Sequence, residues 1–179
     1  LSCPEAEWDR ILRESQDLVI STKAGTRWNY SVSKIADEAL CMSFAKHFGI
    51  PTVIARFFNT VGPRQSGRYG MVIPRFIDQA VRGDNITVFG PGDQTRSFCD
   101  VRDTVAALDK VAEHAATPDV MVVNVGNDRE ISINELAALI VERAGSPSKI
   151  EHMPLLQAYG EDFEDIRRLL GVLDRLVDA

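Results

Sequence analysis

Tyr30 and Lys34 stand four residues apart in Tyr30-Ser31-Val32-Ser33-Lys34, a spacing that sets a phenol and an ammonium on one helix face within reach of each other. A free phenol titrates at about pH 10 and is a poor base at neutral pH, but a fixed cation favours its ionised form. The pair predicts a general acid/base working on a substrate hydroxyl. The same spacing also fits a Tyr ring in the core beside a Lys that reaches to solvent. A second cluster, Arg56-Phe57-Phe58-Asn59-Thr60-Val61-Gly62-Pro63-Arg64, sets an amide, two arginines and a Gly-Pro turn at the end of an apolar run. Asn59 can hydrogen-bond a sugar or a phosphate. A third, Gly92-Asp93-Gln94-Thr95-Arg96-Ser97-Phe98, offers Arg96, whose planar fork can take two phosphate oxygens at once.

Chemistry of this kind needs elements that fix it in place. From Asn29, the residues Tyr30, Ile35, Ala39, Met42 and Phe44 to Phe48 recur at helical spacing until Gly49-Ile50-Pro51, which predicts a helix of about five turns. Thr52 to Phe58 is β-branched and aromatic without alternation, as in a parallel strand covered on both faces. The Gly-, Pro- and Arg-rich stretch Asn59 to Gly70 is then a loop at that strand's C-terminal edge, where open α/β sheets bind ligands. Met71 to Val81 predicts a helix, and Ile86 to Phe89 and Arg96 to Cys99 predict short strands around Gly90-Pro91-Gly92-Asp93. Asp103 is the expected N-cap of a helix to about Ala115, followed by a strand over Val120 to Val125. Ser132-Ile133-Asn134-Glu135 has the spacing of a capping box that opens another helix. Lys149 to His152 predicts a last short strand, and Glu161 to Ala179 a charged amphipathic tail. The segment before Trp28 is irregular apart from an amphipathic piece around Trp8 to Leu12.

The 179 residues are 45% hydrophobic and 26% charged, which excludes collagen-like and disordered classes. Twenty Lys and Arg against 26 Asp and Glu leave a net charge of −6, a field that repels nucleic acid and anionic membrane surfaces. A phosphate-bearing ligand therefore needs local cations. No apolar run approaches the roughly 20 residues of a membrane span, and Leu1-Ser2-Cys3-Pro4-Glu5 has no signal-peptide character; the expectation is a soluble, cytoplasmic chain. Cys3, Cys41 and Cys99 form no Cys-x-x-Cys and are expected as buried free thiols. His47, His114 and His152 lie far apart in the sequence and predict helix-end or surface residues, not metal ligands. The sequence holds no Gly-x-Gly-x-x-Gly turn, no Walker A loop, no Gly-x-Ser-x-Gly elbow and no His-Glu-x-x-His pair.

In chain order, Tyr30-x-x-x-Lys34, Arg56-Phe57-Phe58-Asn59-x-x-Gly62-Pro63, Ile73-Pro74, Ile86-Thr87-Val88-Phe89-Gly90 and Gln94-Thr95-Arg96-Ser97-Phe98-x-x-Val101-x-Asp103 closely resemble the extended short-chain dehydrogenase/reductase family of NAD-dependent nucleotide-sugar epimerases and dehydratases. The likeness runs from about Glu14 to about Arg168. It implies an α/β fold: an incomplete Rossmann-like parallel sheet with helices over 1–62 and 100–130, and a small C-terminal substrate-binding lobe over 63–99 and 131–179. It also implies that Tyr30 removes the proton of the sugar 4-hydroxyl while hydride passes to NAD, and that Lys34 holds the nicotinamide ribose. By position, Phe58 lies near the nicotinamide, Asn59 and Arg96 contact the diphosphate, and Val72, Thr87 and Phe89 line the base pocket. Arg168 or Arg167 supplies a second phosphate contact, although Leu169-Leu170 stands where the family has Pro-Asp.

The resemblance implies a UDP-sugar substrate and a 4-keto intermediate, from which epimerisation, elimination and decarboxylation diverge. A UDP-sugar 4-epimerase is the first expectation, with a UDP-glucuronate decarboxylase or a sugar-nucleotide 4,6-dehydratase as alternatives. From a different class comes a non-catalytic sugar-nucleotide-binding fragment. Twenty-nine residues precede Tyr30, too few for the strand, Gly-rich turn and helix that hold the NAD pyrophosphate in relatives. The isolated chain is therefore expected to be inactive and of marginal stability, with a homodimer through the Tyr30 helix as the assembly implied.

Overall fold

The computed structural model describes residues 29–67, 71–114, 120–159 and 168–169. The piece around Trp8 to Leu12, Cys3, Arg167 and the tail apart from 168–169 lie outside the described residues. In chain order the elements begin with α1 (Asn29–Phe48), β1 (Thr52–Phe57), β2 (Thr60–Val61), α2 (Val72–Arg82) and β3 (Ile86–Phe89). There follow β4 (Thr95–Ser97), β5 (Cys99–Asp100), α3 (Val101–His114), β6 (Val120–Val125) and β7 (Glu130–Ser132). Last come α4 (Ile133–Ala144), β8 (Ile150–Met153), α5 (Leu155–Tyr159) and β9 (Arg168–Leu169). They fall into two compact units, one of Leu1–Thr60, Cys99–Asp128 and Leu170–Ala179, the other of Val61–Phe98 and Arg129–Leu169.

The first unit is built on β1 and β6, which pair in parallel from Thr52 opposite Val120 to Phe57 opposite Val125. Alternation along β1 sends Val53 and Ala55 to one face, where they pack with Val123, Val125 and with Ala107 and Val111 of α3. Arg56 belongs to the other face, which meets α1. The strand is less covered than its apolar run predicts: Ile54 is its one buried residue, and Phe57 is exposed. The α1 helix ends where Gly49 takes φ +63° and the Ile50 amide donates back to the Ala45 carbonyl at 3.2 Å, a left-handed stop that favours glycine. Its inward stripe is narrow. Ser31, Ile35, Glu38 and Ala45 turn inward at intervals of four, three and seven residues, whereas Ala39, Met42 and Phe44 are exposed. Apolar residues lie all round this helix, so periodicity alone does not select the face. The α3 cap is also corrected: Asp100, not Asp103, caps the helix, its Oδ1 accepting from the Arg102 amide at 2.8 Å. The Arg102 side chain grips the same carboxylate and holds it well below the usual carboxylate range. Cys99 is buried as expected and accepts from the Thr104 hydroxyl, while Cys41 is exposed on α1.

The second unit has its own core of Phe76 and Ala80 from α2, Ile86 and Val88 from β3, and Ile133, Leu136 and Ala137 from α4. β3 pairs in parallel with β8, and β4 is flanked by antiparallel β7 and parallel β9. The capping box is present: Ser132 Oγ accepts from the Glu135 amide at 3.1 Å, and the Glu135 carboxylate accepts from the Ser132 amide at 2.9 Å. These bonds lower the Glu135 pKa. Ser132→Ala is expected to cost about 1 kcal/mol, read as a lower urea midpoint with an unchanged slope. No helix among the described residues is long and apolar enough to cross a membrane.

Candidate active site

In the first unit, the N-terminal half of α1 displays Tyr30 and Lys34, the pair expected from the sequence as a general acid/base. Tyr30 is 71% exposed, and the Lys34 ammonium lies 5.7 Å from the centre of its ring. Lys34 also donates to Asp37 Oδ2 at 2.9 Å, and this contact, ahead of the weaker attraction of Tyr30, raises its pKa and keeps it charged. The Tyr30 ring is therefore not a core ring, which leaves its hydroxyl accessible. One turn beyond Lys34, Glu38 accepts from Arg56 twice, Nε to Oε1 at 2.9 Å and Nη2 to Oε2 at 2.8 Å. Arg56, grouped from sequence with the ligand-binding arginines, thus joins α1 to β1.

At the end of β1 the Phe58 amide extends the ladder to the Val125 carbonyl at 3.0 Å. Its ring is buried beneath Gly126, where a Cβ would meet it at 3.2 Å. Asn59 follows, with its carbonyl accepting from the Cys99 amide at 3.1 Å. Gly62 to Gln65 closes the expected turn, and Arg64 there takes φ +69°, a left-handed conformation that is uncommon outside glycine.

In the second unit Val72 stands on α2 and Thr87 and Phe89 on β3, two elements that share one core. Val72 packs against the core from the first turn of α2. Gln79 holds Thr87 twice, accepting from its amide and donating to its hydroxyl, both at 3.2 Å. Arg75 lays its guanidinium 3.9 Å from the Phe89 ring centre and donates to the Thr87 carbonyl, a stack that rewards arginine's planarity. Arg75 and Gln79 were missed by the motif reading, yet they stand three and seven residues after Val72, on one helical face. Arg96 lies on β4 and donates to the Thr95 carbonyl at 2.7 Å. Arg168 comes beside it on β9, its Cα opposite Thr95. The structure thus sets the two expected phosphate-binding arginines on adjacent strands.

The loop before Arg96 is fixed by α4. The Asn134 amide and side chain donate to the Gly92 and Pro91 carbonyls, each at 2.9 Å. Gly92 has φ +79°, and a Cβ there would lie 2.1 Å from Asn134 Oδ1. Gly92→Ala is expected to cost about 1 to 2 kcal/mol from the left-handed backbone alone, with a lower melting temperature than Gly67→Ala, whose added Cβ would meet only Pro74 at 3.5 Å.

Residues 9–126 match the family model of the NAD dependent epimerase/dehydratase family. The chain belongs to that family. The epimerase/dehydratase kinship agrees with the motif order read from sequence, and relatives reach well beyond the matched segment. A UDP-N-acetyl-alpha-D-glucosaminuronate decarboxylase of Bacillus cytotoxicus is 38% identical over 154 residues, 86% of this chain and 47% of its own length. UDP-glucuronic acid decarboxylase 6 of Arabidopsis thaliana is 42% identical over 118 residues, 66% of this chain and 34% of its own length. Among solved structures, the UDP-N-acetylglucosamine 4-epimerase of Methanobrevibacter ruminantium, in complex with UDP-N-acetylmuramic acid, superposes with a TM-score of 0.78 at 28% identity, over 92% of this chain and 49% of that one. The chain thus spans less than half the length of these epimerase/dehydratase relatives, and its fold is the Rossmann-like α/β fold of its neighbours.

Proposed function

We propose that the protein carrying this chain is an NAD-dependent enzyme that oxidises the 4-hydroxyl of a UDP-hexuronate and releases its carboxyl group as carbon dioxide. The observation that carries the reading is the Tyr30–Lys34 pair, an accessible phenol 5.7 Å from a cation held charged by Asp37. Tyr30 takes the proton of the 4-hydroxyl, and Lys34 favours the ionised phenol that this requires. NAD, when bound, would supply the acceptor for the C4 hydride and, once reduced, its return to the ketone left after carbon dioxide is lost, so that the UDP-pentose forms with no net oxidation. The donor set of the chain fits the nicotinamide-ribose end of that cofactor: Tyr30 and Lys34 offer hydroxyl and ammonium, with Phe58 at the strand end. No Gly-rich pyrophosphate turn lies in this sequence.

The second unit takes the nucleotide in this reading. Val72, Thr87 and Phe89 receive the base on a surface stiffened by Gln79 and Arg75, and Arg96 and Arg168, on the neighbouring strands β4 and β9, supply the cations for the diphosphate, while Asn59 of the first unit remains a candidate phosphate contact by motif alone. The first unit accordingly corresponds to the cofactor domain and the second to the substrate lobe. A uronic acid oxidised at C4 is a β-keto acid, which loses carbon dioxide without further help from a metal. That chemistry, together with the decarboxylases at 38% and 42% identity, favours decarboxylation over the 4-epimerisation expected first from the motifs. Epimerisation remains the second reading, supported by the structural likeness to a 4-epimerase.

The test is incubation of the protein that carries this chain with NAD and UDP-glucuronate, followed by chromatography of the nucleotide sugars. A UDP-pentose with stoichiometric carbon dioxide is the expected result. UDP-galacturonate without gas would establish the second reading, and no turnover of UDP-glucuronate, UDP-glucose or UDP-N-acetylglucosaminuronate would overturn both.

A further inference from the structure

The Arg56–Glu38 pair is the feature that this function leaves unused. Its two parallel bonds of 2.9 and 2.8 Å join residues 18 positions apart, and the side chains are only 20% and 15% exposed. Arg–carboxylate forks of this kind fix orientation as well as distance. The inward stripe of α1 has a single fully buried residue, Ala45, near its C-terminal end. Little apolar packing therefore fixes the N-terminal half, where Tyr30 and Lys34 stand, and Glu38 is the inward residue nearest to them that has a directional bond to the sheet.

The spacing adds an electrostatic consequence. Tyr30, Lys34 and Glu38 recur every four residues, so the Glu38 carboxylate is as close a helical neighbour of the Lys34 ammonium as the Tyr30 phenol is. Asp37 already takes one side of that ammonium. A second carboxylate turned toward Lys34 would neutralise the field that favours an ionised phenol. β1, the strand packed against α1, carries Arg56 as its only charged residue; the remaining charged or titratable side chains of α1 are Lys46 and His47, more than three turns from Lys34, and the Cys41 thiol.

We infer that Glu38 and Arg56 are a positioning pair: Arg56 anchors the Tyr30 end of α1 to β1 and keeps the Glu38 carboxylate away from Lys34. The inference rests on the Tyr30–Lys34 reading for its importance to turnover, but not for its measurement. Tyrosinate absorbance of the protein that carries this chain, titrated against pH with its Tyr30→Phe variant subtracted, isolates Tyr30 from the other tyrosines. Arg56→Gln is expected to move the Tyr30 midpoint up by about half a pH unit, the size of one carboxylate at helical-neighbour distance in a wet site. The double variant Glu38→Gln/Arg56→Gln is expected to bring it back, and 1 M salt to erase the difference.

A purely structural role predicts no such rescue, because the double variant lacks the anchor as fully as the single one. An unmoved midpoint in Arg56→Gln, or one that moves equally in the double variant, would overturn the inference. Far-UV circular dichroism on the double variant confirms that the comparison is made between folded chains. A moved and rescued midpoint in a protein that turns over no UDP-sugar would defeat the proposed function and leave this pairing intact.

Discussion

Replacing Tyr30 with phenylalanine in the protein that carries this chain is expected to lower kcat with UDP-glucuronate by about 10²- to 10⁴-fold, the usual contribution of a positioned acid/base group. The change removes one oxygen from a side chain that is 71% exposed. Stability should therefore stay within about 0.5 kcal/mol of the parent. KM should move by no more than a few-fold, because the phenol acts on the bond being broken and adds little to holding the nucleotide. Chromatographic rate assays at saturating NAD separate these quantities. A loss of less than tenfold in kcat would mean that another group removes the proton.

The largest effect on stability is expected at Phe76→Ala. Phe76 is fully buried in the core that α2, β3 and α4 share, and truncation of a buried Phe costs about 3 to 5 kcal/mol through lost transfer energy and the cavity left behind. That is a large fraction of the stability of an ordinary domain. The loss should concentrate in the second unit, and the two probes available differ in what they see. Far-UV circular dichroism reports the helices of both units, among them α2 and α4 of the second, whereas amide hydrogen exchange resolves each unit by itself. Urea unfolding followed by circular dichroism should shift to lower denaturant, while the exchange protection of the β1 and β6 amides in the first unit keeps its midpoint. Equal shifts in both signals would show that the units unfold as one.

What the sequence revealed divides by the range of the interaction. The capping box at Ser132 and Glu135, the Gly49 stop and the parallel pairing implied by Thr52 to Phe58 are local or rest on composition, and all three were legible. Asp100 and Asp103 are both plausible caps three residues apart, and only the fork that Asp100 makes with Arg102 selects between them. β7 and β9 span three and two residues, too short to carry a period, and their pairing with β4 determines them. The inward stripe of α1 was hidden because apolar side chains surround the helix. Glu38 and Arg56, like Gln79 and Thr87, find each other only in the folded chain. The family resemblance compensated for much of this, since spaced motifs preserve what single-residue patterns lose.

The clamp between the Gly90–Gly92 loop and Asn134 bears on how this family could be re-engineered. A loop held by two carbonyl acceptors and closed to a Cβ at Gly92 is intolerant of inserted or bulkier residues. Libraries that aim to change the accepted nucleotide would lose most members to misfolding if they varied 90–94. Diversity placed at Arg75 and Gln79 would give up their bonds to Thr87 and the stack on Phe89 but leave the Gly83 stop of that helix and its core contacts in place, and so would vary the proposed base surface at a smaller structural cost.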